Sequence, residues 1–162
     1  MEQKEFKSLF DANFEGLRNY IYYRAGDKEL ATDIAQECFL RLWEKQPKGD
    51  PVKLKGLLFK MGHDLFISKY RHAKVVEDFA FKNSRGNGES ISPHDEIEYQ
   101  ELKDKYQETL KSMPGNSRVV FLMRRDEELK NQEIAERLDI SIKAVEKRMT
   151  KALEILKRAL DY

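Results

Sequence analysis

The chain has 162 residues, of which 40% are hydrophobic and 36% charged, and its formal net charge is +1. This length allows one ordinary domain or two small ones, and no apolar run reaches the roughly 18 residues that a membrane-spanning helix needs. The start, MEQKEFKSLF, lacks the apolar segment of a secretion signal, and the single Cys38 excludes an internal disulfide. We therefore expect a cytoplasmic protein without membrane insertion.

Three helices are predicted in the first half of the chain. The first covers residues 3 to 24 and ends at Gly26; Asp27 caps the second, which runs to about Lys45. The third covers about residues 52 to 74. Apolar residues three or four apart predict the buried sides of the helices. They are Phe6, Leu9, Phe10, Phe14, Leu17 and Ile21, then Ala31, Ile34, Cys38 and Leu42, then Leu54, Leu57, Leu58, Met61, Leu65 and Phe66.

A polar, glycine-bearing stretch at residues 81 to 92 predicts a linker between two small helical domains. Ser92, followed by Pro93, is a favourable start for the next helix, which runs to the Pro114-Gly115 break. A short helix from Ser117 to about Glu127 follows. The predicted fold is all-α, with a first domain at 1–76, a linker at 77–93 and a second domain at 94–162.

The stretch NQEIAERLDISIKAVEKRMTKAL, residues 131 to 153, predicts two helices joined by a tight turn. Asp139 suits the turn, and Ser141 suits the cap of the second helix. The predicted buried side of that helix comprises Ile142, Val145, Met149, Ala152 or Leu153, Leu156 and Leu160. Its other side is basic, as in a helix-turn-helix whose second helix enters the DNA major groove. A solvated helical hairpin remains the alternative for this segment.

The near-zero net charge hides a pattern along the chain. Residues 53 to 74 carry a balance of +5 and residues 141 to 158 one of +4, whereas residues 77 to 109 carry −5. Phosphate binding depends on local clusters of cations, so the two basic segments are compatible with nucleic acid.

Residue patterns for catalysis or cofactors are missing. The sequence has no phosphate-binding glycine loop, and its three histidines have no metal-ligand spacing. Asp33 and Glu37 share a helix face, which we interpret as a solvent or protein-contact face because no histidine or metal spacing accompanies it. Cys38 is interpreted as a small packed residue. We predict a protein that is not an enzyme and needs no cofactor.

The outer face of the second helix is acidic and aromatic, with Asp33, Gln36, Glu37, Leu40, Trp43 and Glu44. Tryptophan recurs in interface hot spots, so this face suits a protein partner. The alternative is that Trp43 completes the core.

With these motifs, the chain resembles an extracytoplasmic-function (ECF, or group IV) sigma factor of bacterial RNA polymerase over nearly its whole length. The resemblance rests on ATDIAQECFLRLWEK and on LKSMPGNSRVVFLMRRDEELKNQEIAERLDISIKAVEKRMTKALEIL, in this order. It implies a transcription initiation factor that directs core RNA polymerase to promoters and aids their opening. It also implies promoter DNA as a partner and an anti-sigma protein as an inhibitor.

The resemblance assigns roles to three groups of residues. The polymerase-binding group is Asp33, Gln36, Glu37, Leu40 and Trp43. The group that contacts the minus-ten element is Lys55, Lys60, His63, Lys69, Tyr70 and Arg71, while Phe59 and Phe66 are interpreted as core residues. The group that reads the minus-thirty-five element is Ser141, Lys143, Ala144, Lys147, Arg148 and Lys151.

The sequence departs from the family pattern at three places. Asp64 stands where many relatives carry Asn, which puts its role at the promoter strand in doubt. Asp139 replaces the usual turn glycine, and Glu128 or Leu129 replaces a glycine before the helix-turn-helix.

Two other functions remain compatible with the sequence. A stand-alone helix-turn-helix regulator would bind its duplex site without polymerase. An adaptor would bind polymerase but no DNA.

Overall fold

The computed structural model describes residues 1–70 and 92–161, and these two stretches form seven helices and no strand. The helices are α1 (Gln3–Ala25), α2 (Lys28–Lys45), α3 (Pro51–Tyr70), α4 (Pro93–Ser112), α5 (Gly115–Glu127), α6 (Asn131–Leu138) and α7 (Ile142–Ala159). The all-α prediction is confirmed. The end predicted for the third helix and most of the predicted linker lie outside the described residues. Within the described stretches, none of the helices has the length and apolar character needed to cross a membrane.

Local capping explains the junction between α1 and α2. Gly26 has a left-handed backbone with φ 72°, and its N–H donates to the Tyr22 carbonyl at 2.7 Å. This conformation suits glycine and ends α1. The Asp27 carboxylate then accepts bonds from the backbone N–H groups of Glu29 and Leu30, at 3.0 and 3.1 Å. Both predicted signals are confirmed.

The C-terminal helices begin at predicted caps. The Ser92 hydroxyl accepts the Asp95 N–H at 3.2 Å at the start of α4. The Ser141 hydroxyl accepts the Ala144 N–H at 3.0 Å at the start of α7. Asp139 lies between α6 and α7 with φ 54°, so the predicted turn is confirmed.

Helices α1, α2 and α3 pack into an N-terminal bundle around fully buried aliphatic side chains, including Leu17, Ile34 and Leu58. Gly62 allows α3 to approach α1 closely, since a Cβ at that position would stand 2.9 Å from the Leu17 Cδ1 atom. The predicted inward positions of α2 are confirmed, and Phe39, which the pattern missed, is buried with them.

Helices α4 to α7 form a C-terminal bundle in which α5 packs against α7. Val145, Ala152 and Leu156 of α7 are buried, as predicted. The prediction for Ile142 is wrong, because 46% of this residue is exposed. Side chains on a helix point towards its N-terminus, and Ile142 is the first residue of α7, so its side chain projects past the packed turn. Ala152 fills the inner position, and Leu153 is 51% exposed.

The two bundles contact each other through α1 and α5. Arg118 of α5 is buried and donates from Nε to the Tyr23 carbonyl and from Nη2 to the Arg24 carbonyl, both at 2.8 Å. A second link runs from the Tyr23 hydroxyl to the Glu127 carboxylate at 3.0 Å, and Glu127 also pairs with Arg137 of α6 at 2.8 Å.

Candidate functional site

The outer face of α2 presents two large apolar side chains to solvent. Leu40 is 57% exposed and Trp43 is 38% exposed. The Trp43 ring also packs at an angle of 64° against Phe6, with 5.1 Å between ring centroids. The packing fixes the indole while leaving part of it accessible, so Trp43 is only partly a core residue. Asp33 and Gln36 are exposed on the same helix.

Glu37 lies at the edge of this face and pairs with two cations. Its Oε1 atom is 2.7 Å from Arg41 Nη2 on the next helical turn, and its Oε2 atom is 2.8 Å from Lys69 Nζ on α3. The hydrogen bond from Lys69 is the largest cause of the lowered pKa of Glu37, and Arg41 adds to it. The structure therefore joins two residues that the sequence analysis assigned to different surfaces.

The candidates on α3 have unequal exposure. Lys60 is exposed, whereas Lys55 is half-buried and lines a small cleft between the two bundles with Asp11 and Arg137. The His63 ring is half-buried, with Nδ1 3.4 Å from the Tyr20 hydroxyl.

Two candidates lie at the edge of the described residues, and two aromatic residues of α3 belong to the core. Tyr70 is the last residue of α3, and Arg71 lies outside the described residues, as does the side chain of Tyr70. Phe59 and Phe66 are 8% and 4% exposed, which confirms that they are core residues.

The second helix of the helix-turn-helix carries an exposed cationic face. Lys143, Lys147 and Lys151 recur every four residues along α7, and all three are exposed. Residues four apart lie on one side of a helix, so the three ammonium groups share a face opposite the buried Val145 and Ala152.

The other candidates of α7 are less accessible. Ala144 and Arg148 are half-buried, and the hydroxyl of Ser141 is engaged as the helix cap. Burial is the largest influence on the Tyr20 hydroxyl and raises its pKa, while the positive charges of Arg24 and Arg148 oppose the rise. Arg148 of the C-terminal bundle is thus close enough to α1 to act on Tyr20.

Sequence reasoning missed the residues that link the bundles. Arg118 shares a face of α5 with the fully buried Leu122, four residues on. A cation at an inward position predicts a buried side chain with several acceptors, and this signal could have identified it. Besides the two bonds to α1, the Arg118 Nη1 atom donates to the carbonyls of Leu110, Lys111 and Met113 at 3.1, 3.4 and 3.2 Å.

The described residues contain no group of three or more histidine, cysteine or acidic side chains that could hold a metal ion. Burial raises the pKa of the Cys38 thiol to about 12, and the residue is fully buried. Its interpretation as a packed residue is confirmed.

Two stretches of the chain match families of known proteins. Residues 9–75 match the family described as Sigma-70 region 2, and residues 103–156 match the family described as Sigma-70, region 4. The first match contains α2 and α3, and the second contains α5, α6 and most of α7.

The chain is also similar to sigma factors along most of its length. It is 25% identical to the ECF RNA polymerase sigma factor SigW of Bacillus subtilis, over 98% of this chain and 90% of SigW. It is 24% identical to the ferric citrate uptake sigma factor FecI of Escherichia coli, over 92% of this chain and 87% of FecI.

Two solved structures share the fold. CnrH, solved in complex with the cytosolic domain of CnrY, aligns with a TM-score of 0.61 and 22% identity, over 99% of this chain and 90% of CnrH. The sigma factor RpoE of Bartonella quintana, solved with the anti-sigma factor NepR, aligns with a TM-score of 0.58 and 18% identity, over 98% of each chain. With regions 2 and 4 both matched in this order, the chain belongs to the sigma-70 family as an ECF sigma factor, which makes it a transcription initiation factor and not an enzyme.

Proposed function

We propose that this sigma factor docks on core RNA polymerase through α2 and contacts the two promoter elements through α3 and α7. The observation that carries the proposal is the pair of exposed faces, apolar and acidic on α2 and cationic on α7. We further propose the division into a polymerase and minus-ten domain at 1–76, a linker at 77–93 and a minus-thirty-five domain at 94–162.

The polymerase-docking face would consist of an apolar centre with an acidic edge. Leu40 and Trp43 provide the area, and the contact between Trp43 and Phe6 restricts the rotation of the indole before binding. A side chain ordered in advance loses less conformational entropy when it binds. Asp33, Gln36 and Glu37 would then pair with basic and polar groups of the polymerase, which favours a positively charged partner surface.

On α3, contact with the minus-ten element would begin at Lys60, the most accessible of the described candidates. His63, Lys69, Tyr70 and Arg71 would extend this contact towards the end of the helix. We expect a smaller contribution from Lys55, because it lies in the cleft between the bundles. Cations hold phosphates, and an aromatic ring offers a surface on which an unpaired base can stack.

Recognition of the minus-thirty-five element would use the exposed face of α7. Lys143, Lys147 and Lys151 can bond phosphates or the acceptor edges of guanine, and the small Ala144 permits close approach to the bases. Ser141 would contribute through its position at the start of the helix, because its hydroxyl already accepts a backbone bond. Arg148, which is half-buried, would contribute less than the three exposed lysines.

Both promoter elements can be read together only if the bundles separate. Elements named for positions 35 and 10 lie about 25 base pairs apart, which is about 85 Å at 3.4 Å per base pair. A compact chain of this length has a radius of gyration of only about 15 Å. The contact between α1 and α5 therefore describes the factor before it engages a promoter. Two readers on one chain would then raise each other's effective concentration on a promoter of matching spacing.

An anti-sigma protein is the second partner that we propose. Both solved neighbours were captured with a partner chain, the cytosolic domain of CnrY in one and the anti-sigma factor NepR in the other. These partners and the role in transcription support a cytoplasmic location for this chain.

The test of these assignments separates polymerase binding from promoter reading. Leu40→Ala should weaken binding to core polymerase, whereas Val52→Ala, which shortens an apolar residue that is 80% exposed on α3, should not. Lys147→Glu should leave polymerase binding intact and abolish promoter-specific initiation.

Lys157→Glu on the same helix is the matched charge control and should retain initiation. Initiation that survives Lys147→Glu would favour an adaptor over a DNA reader. Specific binding to duplex sites without polymerase would favour a stand-alone regulator.

A further inference from the structure

We propose that Glu37 is a positioning residue that masks the Lys69 ammonium group from nucleic acid until polymerase takes over the Glu37 carboxylate. This inference rests on the proposed function and deepens it, because it connects the docking face of α2 with the promoter contact of α3. In this proposal, Glu37 exchanges Lys69 for a cation of the polymerase, and Lys69 exchanges Glu37 for a phosphate of the promoter strand.

The geometry of the carboxylate supports an exchange of partners. Each Glu37 oxygen accepts one cation, Arg41 at 2.7 Å and Lys69 at 2.8 Å. The three side chains remain partly accessible, with relative exposures of 29% for Glu37, 44% for Arg41 and 40% for Lys69. A partner can therefore reach the carboxylate without unfolding either helix. Arg41 is on the same helix as Glu37, so of these two ion pairs the one with Lys69 joins α2 to α3.

The position of Glu37 explains why docking would disturb this pair. Leu40 follows Glu37 by three residues and Asp33 precedes it by four, so the three lie along neighbouring turns of one helix face. A positively charged partner that covers Leu40 and pairs with Asp33 would bring its own cations next to Glu37. Competition for the carboxylate would then release Lys69 to bind a phosphate of the promoter strand.

The expected effect is small but measurable. Ion pairs with this degree of exposure stabilise weakly, and their strength corresponds to a change of about two- to fivefold in an equilibrium constant. One additional cation on a single strand also steepens the dependence of log K on log salt concentration by about 0.7. The salt slope separates a freed ammonium group from a merely structural effect, because a change in packing would leave it unaltered.

The first experiment uses the full chain and a fluorescent single-stranded oligonucleotide of mixed sequence at low salt, with binding followed by anisotropy. Glu37→Gln should bind about two- to fivefold more tightly than Glu44→Gln, which removes the same charge from an exposed position of α2. When both variants also carry Lys69→Gln, Glu37→Gln and Glu44→Gln should bind the oligonucleotide with equal affinity. Equal binding by Glu37→Gln and Glu44→Gln, or a gain that persists without Lys69, would overturn the proposal.

The second experiment repeats the comparison with the chain bound to core polymerase and a promoter strand. In this complex, Glu37→Gln should no longer increase the affinity for the strand, because polymerase already binds the Glu37 carboxylate and Lys69 is already released. A gain that persists in this complex would refute the exchange of partners. Promoter-specific initiation by the wild type is scored separately: its absence would contradict the proposed function but leave the result with the free chain unaffected.

Discussion

Replacing Arg118 with alanine should destabilise the protein and separate its two bundles. This guanidinium group lies between the C-terminal ends of two helices, α1 and α4, whose last carbonyls have no partners within their own helices. A cation is favourable at such an end because it opposes the helix dipole. Alanine would remove the hydrogen bonds that Arg118 donates to the backbone carbonyls of Tyr23, Arg24, Leu110, Lys111 and Met113.

The magnitude follows from the two bonds that cross between the bundles. Both are 2.8 Å long, and the bond to Tyr23 is buried while the bond to Arg24 is partly buried. Hydrogen bonds to a charged group contribute at least about 1.5 kcal/mol each. We expect the free energy of unfolding to fall by about 3 kcal/mol. For a chain of this size, that loss lowers the melting temperature by about 6 to 12 °C. Arg118→Lys should recover only part of it, because one ammonium group cannot serve both helix ends.

Urea unfolding followed by circular dichroism measures the loss, and small-angle scattering in the absence of urea measures the separation of the bundles. Arg124→Ala is the matched control, since Arg124 is an exposed arginine on the same helix, and it should change the free energy of unfolding by less than about 0.5 kcal/mol. A loss below about 1 kcal/mol for Arg118→Ala, with an unchanged radius of gyration, would refute the reasoning.

Four further predictions concern stability and reactivity. Glu128→Gly should raise the free energy of unfolding by about 1 kcal/mol, because Glu128 has a left-handed backbone with φ 54°. Asp139→Gly, also at φ 54°, should change the free energy of unfolding less, since Asp tolerates this conformation. A loss of stability in Glu128→Gly, measured in urea, would contradict this. Ser117→Ala should stabilise the chain by up to about 1 kcal/mol, because the Ser117 hydroxyl is buried without a hydrogen-bond partner among the described residues. A clearly lower melting temperature of the variant would contradict this. Burial, and secondarily Glu127, raises the pKa of Tyr23. The contribution of Tyr23 to stability is therefore complete below about pH 10 and declines as the pH rises beyond that, by up to about 1.4 kcal/mol per pH unit. Urea midpoints between pH 9 and 11 should fall less steeply for Tyr23→Phe than for the wild type, and parallel curves would disprove the assignment. Cys38, with its pKa raised to about 12 by burial, should react with a thiol reagent only after unfolding, so rapid labelling of the native chain would be the contrary result.

Local chemistry made the ends of the helices predictable. Glycine at position 26 and the capping side chains of Asp27, Ser92 and Ser141 act within a few residues of their own positions. Such signals can be recognised without knowledge of the fold. Periodic apolar residues similarly identified the core faces of α1 to α3, where the helices are long enough to show several turns.

Contacts between distant residues were not predictable in the same way. Arg118 and Tyr23 are 95 positions apart, and nothing in either segment specifies the other. The pairing of Glu37 with Lys69 likewise depends on how α3 crosses α2, which no spacing along one helix reveals. The exposure of Ile142 was missed because periodicity identifies a helix face but does not show that the side chain of the first residue projects past the packed turn.

The departures from the family pattern have a structural counterpart. The resemblance implied glycines near Glu128 and at Asp139, and both residues have the left-handed backbone that glycine adopts readily. The chain thus keeps the turns of the helix-turn-helix segment with residues that fit them less well.

Transcription reconstituted with core RNA polymerase, the purified chain and fragments of the source genome tests the central claim most directly. Sequencing the 5′ ends of the transcripts would reveal where initiation occurs. We predict start sites that share one two-part promoter and that require both Leu40 and Lys147. Initiation equal to that of core polymerase alone, with no shared sequence upstream of the start sites, would contradict the account.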